Sequence, residues 1–242
     1  MVMKPEQLHL NVQLDDVISL DRFINCESTK ECLKILKKSV EDDSISNFYF
    51  IWGNKGVGKS YLMKGLHREF INKEMKTFHF SFEDERVSGP EILQNLESMD
   101  AIIIEDFESM ISSEEWEVAV FNLINACFLS KTKIYISSKT VSKDLEIDLV
   151  DLMSRLSSFT GVEVPEISEE EKIEALKQSA TRKGIELEER AIKYIINYTS
   201  RNLSDLLKLI NELDSFSLQM KKKITPVLIK KLLDSRLSSP HT

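Results

Sequence analysis

Apolar runs of strand length alternate with stretches of helical spacing through the first two thirds of the chain. Phe48 to Trp52 (FYFIW) is a short apolar run that leads into a glycine-bearing loop. Behind the loop, Leu62, Leu66 and Phe70 recur at helical spacing and predict an amphipathic helix over 61–71. Thr77 to Phe82 alternates, which sets Phe78, Phe80 and Phe82 on one face of a strand. Ser88-Gly89-Pro90-Glu91 has the form of a capping box with proline in the first turn, and predicts a helix start. Ala101-Ile102-Ile103-Ile104 reads as a fully buried strand, 114–129 as a helix, and 133–137 and 161–164 as two further strands. This alternation implies an α/β fold, a parallel five-stranded sheet with helices on both faces.

The pattern changes after Pro165, where no strong strand signal follows. Ser168 with Glu171 opens a helix that ends near Gly184, and helical patterns continue over 187–198 and 203–219. Thr225-Pro226 caps a last helix reaching Leu233. The expected organisation is an N-terminal tail (1–14), a nucleotide-binding α/β domain (15–165) and a small all-helical lid domain (166–242).

Composition narrows the function classes. The chain of 242 residues carries a net charge of −8, and one cluster, Lys221-Lys222-Lys223, is too little cationic surface for sequence-independent binding to nucleic acid. That cluster reads as a solvated helix end. Protein partners are favoured over direct, specific DNA binding. The longest apolar stretch, Phe48 to Trp52, is far short of the about 20 residues that span a bilayer. The three cysteines, Cys26, Cys32 and Cys127, form no CxxC pair and read as reduced packing residues of a cytoplasmic protein.

The loop after the first strand carries the clearest chemistry. Gly53, Asn54, Lys55, Gly56, Val57, Gly58, Lys59 and Ser60 match the P-loop pattern in full, between a buried strand and a helix that continues with Tyr61. Glycines let backbone N–H groups turn toward phosphates, and the following helix adds the positive end of its dipole. Lys59 supplies charge to the β- and γ-phosphates, and Ser60 a hydroxyl for Mg²⁺. ADP or ATP with Mg²⁺ is therefore the expected cofactor. At the end of the buried strand, Glu105 and Asp106 offer carboxylates. Glu105 is the candidate metal ligand, directly or through water, with the plain strand end as the alternative. Asp106 stands where a water-activating glutamate is expected but is one methylene, about 1.5 Å, shorter. A misplacement of about 1 Å costs about 10²-fold in rate, so slow intrinsic hydrolysis is the expectation. Arg155, in DLMSRLSSF, fits two roles: an arginine finger reaching a neighbouring subunit's γ-phosphate, or a helix-surface pair with Asp151. His67 and His79 lack metal-ligand spacing, and neither reads as catalytic.

Together these residues resemble the DnaA-related AAA+ family, from about Gln7 to Leu237, and within it the Hda branch, regulatory inactivators of DnaA. WGNKGVGKSYLMKGL and IIIEDFESM correspond to its Walker A and Walker B segments, and DLMSRL looks like its arginine-finger segment. The resemblance puts Phe23 and Ile24 near the base, Ser137 (with Ser138) at the sensor-1 position, and Ser204 where a sensor-2 arginine is usual. Arg201, one turn earlier, is either a substitute or a surface residue. Lys139 replaces an acid common after the sensor-1 strand. QLHLNV (7–12) resembles the clamp-binding motif of Hda, with Gln7 as the hydrogen-bonding anchor and Leu8, Leu10 and Val12 as groove-filling residues, although the same positions alternate as in any edge strand. Asn11 departs from the usual proline. The implied partners are DnaA and the DNA polymerase sliding clamp, with self-association through AAA+ faces. The implied function is stimulation of ATP hydrolysis by DnaA. The alternative is an ATP-driven remodelling enzyme of the helicase-loader type.

Overall fold

The computed structural model describes residues 18–42, 44–84, 89–110, 113–185, 187–198, 203–220, 224 and 228–232. Gln7, Leu8, Leu10, Val12, Ser88, Arg201, Lys221 to Lys223, Thr225 and Pro226 lie outside the described residues.

Five strands form one sheet: β1 (Phe48–Trp52), β2 (Thr77–Ser81), β3 (Ala101–Glu105), β4 (Lys133–Ser138) and β5 (Thr160–Glu163), in the order β2-β3-β4-β1-β5. Every pairing is parallel. Parallel strands need crossovers, and the segments between strands supply α2 (Lys59–Asn72), α3 (Glu114–Ser130) and α4 (Val150–Ser157), while α1 (Lys30–Glu41) precedes β1. Strand periodicity then divides the core. Tyr49, Ile51, Ala101, Ile103 and Tyr135 face α1 and α2, joined by Leu36, Leu62, Leu66 and Phe70. Their neighbours Phe50, Ile102, Ile104, Ile134 and Ile136 face α3 and α4, joined by Val120, Leu123, Leu152 and Leu156. β3 is buried along its whole length, which is why its sequence is continuously apolar until Glu105. Phe78, Phe80 and Phe82 do share one face, against the α3 side.

One element departs from expectation. The helix start at Pro90 yields two short 3₁₀ turns, Pro90–Leu93 and Leu96–Ser98, with Gly89 as the first cap. Gln94 is extended and Asn95 is left-handed (φ 61°), so an α-helix cannot continue through them. Leu93 and Leu96 are instead pinned into the α3-side core.

The helices beyond the sheet form their own core. α5 (Glu169–Arg182), α6 (Glu189–Tyr198) and α7 (Leu203–Met220) bury Leu176, Ile192, Ile195, Leu206, Leu209 and Ile210 against one another. Ser168 and Glu171 close the expected capping box at the start of α5. Among the described residues no helix is long and apolar enough to cross a membrane.

Candidate nucleotide site

β1 ends at Trp52 and α2 begins at Lys59, so the glycine loop bridges a central strand and a helix N-terminus. Gly58 caps α2 in the left-handed region (φ 103°) and gives the helix no side-chain cap. Its first N–H groups therefore stay directed at the loop, as an anion requires. A Cβ at Gly58 would meet the Phe23 ring at 2.7 Å, and one at Gly53 would strike the Val164 carbonyl. The Lys59 ammonium bridges the loop, donating to the carbonyls of Gly53 (2.6 Å) and Asn54 (3.0 Å). Burial pushes its pKa down, opposed by Glu108, Asp106 and Glu105. Glycines, an open helix N-terminus and a lysine within the loop fit a nucleotide polyphosphate. Ser60 is exposed at the start of α2.

A cleft of about 410 Å³ opens beside the loop, lined by Phe23, Ile24, Lys55, Gly56, Val57 and Leu203 among others. That volume suits a small-molecule ligand. Phe23 is buried against Gly58 and lies 5.9 Å, centroid to centroid, from Tyr61. Ile24 packs with Ile167, Ala175 and Leu203, so this expected base-side residue touches the helical lid directly. Ser204 sits in the first turn of α7, its side chain outside the described set.

The acidic end of β3 is the less expected part. Glu105 is buried (3% exposed), on the same sheet face as Ala101 and Ile103, the face α2 covers. Its Oε1 accepts a hydrogen bond from Nε2 of His79 at 2.7 Å. The chain then turns through Asp106 in the left-handed region (φ 56°), a conformation aspartate tolerates better than most residues. This turn sends the Asp106 carboxylate to the Ser81 hydroxyl. Burial, with repulsion from Glu83, Glu105 and Glu108 behind it, raises the Asp106 pKa despite that bond. Ser137 and Ser138 are buried at the end of β4, in register with Ile51 and Trp52 before the loop. Lys139 lies between Glu108 (2.9 Å) and Glu83 (3.2 Å), and its N–H donates to Glu108. Burial works against the Glu108 carboxylate, but bonds from Lys139, the backbone and Ser138 outweigh it and hold its pKa low.

Arg155 stands away from this cleft, exposed on α4. Among the described residues no ion pair joins it to Asp151. Its guanidinium lies 5.4 Å from the centroid of Phe128, a ring that is half exposed and stacked on Phe48. The intrahelical pair weighed from sequence is not formed. The fork is presented to solvent above an apolar patch.

Three ties join the loop and its flank to the lid. Asn54 Nδ2 donates to Glu166 (2.8 Å), and Arg182 donates to the carbonyl of Arg22 (3.1 Å). Glu171 accepts from the N–H and the hydroxyl of Ser28 while closing its own capping box. Backbone bonds from Ser168 and Ser28, then the Ser28 hydroxyl, pull its carboxyl down to about 2 from 4.5. A depressed carboxylate stabilises the fold above its unfolded pKa, and that contribution fades as pH falls through the folded value. The gap in thermal midpoint between wild type and Glu171→Ala is therefore expected to stay constant above about pH 5 and to narrow below it toward about pH 2. Scanning fluorimetry across that range checks it; a gap that ignores pH contradicts the tie.

The sequence did not identify His79 as a partner of the site. The register pairs His79 with Ile103 and Ser81 with Glu105, which makes His79 and Glu105 diagonal neighbours on one face. Strand alternation from His79 to Ser81 and from Ile103 to Glu105 carried the signal, but only once β2 and β3 are known to be adjacent.

Comparison with known proteins bears on these features. Residues 169–233 match the family described as "Hda, lid domain", and residues 49–147 match one described as "RNA helicase". A Haemophilus influenzae protein described as uncharacterized is 28% identical over 230 residues, covering 95% of this chain and 99% of its own length. Domain III of the Thermotoga maritima replication initiation protein DnaA superposes with a TM-score of 0.75 at 17% identity, covering 90% of this chain and 96% of that one. AMPPCP-bound DnaA from Aquifex aeolicus gives 0.72 at 20% identity, with 83% of this chain and 66% of that chain covered. The RuvB branch-migration motor of Thermotoga maritima gives 0.66 at 18% identity, over 90% of this chain and 72% of that one. The fold is that of these proteins: a five-stranded parallel sheet with flanking helices, followed by a helical lid.

Proposed function

For a DnaA-related AAA+ protein that carries an Hda-type lid, we propose a regulator of replication initiation that binds a nucleotide and acts on a partner ATPase. The α/β lobe (15–165) and the lid (166–242) hold ADP or ATP between them, and the tail (1–14) takes the chain to the sliding clamp. The partner is DnaA, whose ATP hydrolysis the chain stimulates.

One observation carries this reading. The phosphate loop is complete and tied to the lid, while both acidic residues of the β3 end are engaged by protein partners, Glu105 by His79 and Asp106 by Ser81. Such a site grips a nucleotide and transmits its presence to the lid angle; it is poorly arranged to activate water. Gly53 to Ser60 would hold the phosphates of a bound nucleotide, with Phe23, Ile24 and Tyr61 on the base side and Ser137 and Ser204 as further binding residues. Ser60, and Glu105 once released from His79, would be the donors for Mg²⁺, which would supply charge neutralisation at the phosphates. Arg155, free of Asp151, is available to a γ-phosphate bound by the neighbouring molecule.

The tail supplies a direct test. Gln7 is the anchor of an extended apolar segment in which Leu8, Leu10 and Val12 fill a groove. Gln7→Ala is expected to lower affinity for immobilised clamp by about 5- to 30-fold, since an anchoring side chain that hydrogen-bonds in a groove contributes about 1–2 kcal/mol. Equal retention of mutant and wild type removes the clamp from this reading. The match of residues 49–147 to a helicase family favours a second reading, an ATP-driven remodelling enzyme of the helicase-loader type. Robust clamp-independent ATP turnover by the isolated chain distinguishes it.

A further inference from the structure

We propose that His79 is a positioning residue for the Glu105 carboxylate, and that Mg²⁺ arriving with a nucleotide competes with it for that carboxylate. The inference rests on the nucleotide reading above and adds a device within it.

The sheet order sets the geometry. β2 flanks β3 on the side opposite to β4 and β1, and the phosphate loop springs from β1. A bond from Glu105 to His79 on β2 therefore draws the carboxylate away from the loop. The pair is nearly dry, with side-chain exposures of 7% for His79 and 5% for Glu105. A charge-assisted hydrogen bond gains strength where water is excluded. His67 on α2 closes the far side, its ring 5.1 Å from that of His79. Burial, then the neighbouring His79, pushes the His67 pKa down to about 4, so it adds no competing charge near neutrality.

The choice of glutamate fits this arrangement. An aspartate at 105 would be shorter by about 1.5 Å and would lose the His79 contact. The longer side chain reaches His79 and still lies within electrostatic range of Lys59 in the loop. Turning to the metal leaves the buried His79 Nε2–H without its acceptor, and that cost is subtracted from whatever Mg²⁺ contributes to affinity.

ADP titrations by calorimetry, in EDTA and in Mg²⁺, read this directly. The gain in ADP affinity on adding Mg²⁺ is expected to be about 10-fold larger in His79→Leu than in wild type, the cost of one orphaned buried donor having been removed. Affinity in EDTA is expected to stay unchanged. His79→Gln, whose amide N–H reaches the same place, is expected to return the Mg²⁺ gain to the wild-type value. A generic packing defect moves the EDTA affinity and leaves the gain alone. In wild type, the hydrogen-bonded imidazole N–H resonance of His79 is expected with ADP in EDTA and lost on adding Mg²⁺. The same Mg²⁺ gain in all three proteins, or a resonance indifferent to Mg²⁺, overturns the proposal. Absence of ADP binding under both conditions overturns the nucleotide reading and this device with it.

Discussion

Arg155→Ala is expected to lower the stimulated hydrolysis of DnaA-bound ATP by about 10³-fold, the lower end of what arginine fingers contribute in trans. The chain's own affinity for nucleotide is expected to stay the same, because Arg155 does not line its cleft. The size of the effect follows from the chemistry. A guanidinium presents a planar, permanently charged fork to the equatorial oxygens of a transferring phosphoryl group, where negative charge accumulates. Arg155 is held ready by the Phe128 ring beneath it, at an energy near the surface cation–π range of about 0.5–1 kcal/mol. That hold is weak enough to release the fork to a better partner. Arg155→Lys keeps the charge without the fork and is expected to recover little of the loss. Single-turnover hydrolysis of ATP preloaded on DnaA, with clamp and DNA present, provides the measurement. An alanine variant that stimulates as well as wild type removes Arg155 from the mechanism.

Lys59→Ala is expected to weaken nucleotide binding by about 10²-fold, since hydrogen bonds to charged groups contribute about 1.5–3 kcal/mol each. Two loop carbonyls now occupy the ammonium, at 2.6 and 3.0 Å, and burial already disfavours its charged form. Phosphate oxygens are the better acceptors, so a large share of the grip passes through this one side chain. The effect is legible in thermal stability. At ADP equal to 100 times the wild-type Kd, binding stabilises the wild type by about 2.7 kcal/mol; a 10²-fold weaker variant gains only about 0.4 kcal/mol at the same concentration. A variant that keeps the full ADP-dependent shift contradicts the assignment of the loop.

Local pattern carried much of the architecture, and the reasons are physical. β3 is buried on both faces, so its run of isoleucines announces a strand without ambiguity. The phosphate loop needs glycine where the backbone is left-handed, so Gly58 is visible as a motif. What stayed hidden depends on which elements become neighbours. His79 meets Glu105 only because β2 pairs with β3 in one register. Arg155 meets Phe128 because α4 packs against α3, and this contact replaces the pair with Asp151 that spacing alone permits. Exposed helix pairs contribute too little to decide a conformation against such packing. Ser28 and Glu171 are 143 residues apart in sequence, and no periodicity foretells their bond. At Pro90, local signals favoured a helix, but the burial of Leu93 and Leu96 against α3 and the left-handed Asn95 produced two 3₁₀ turns.

The proposed reading divides the labour: the chain's own site would hold a nucleotide and set the lid, and the hydrolysis that matters would happen in the partner. The most direct measurement follows ATP prebound to DnaA in the presence of DNA-loaded clamp, with and without this chain. Faster conversion of ATP-bound to ADP-bound DnaA, dependent on both the clamp and Arg155, is the predicted result. Unchanged DnaA hydrolysis, accompanied by clamp-independent turnover of ATP by the chain itself, would contradict it.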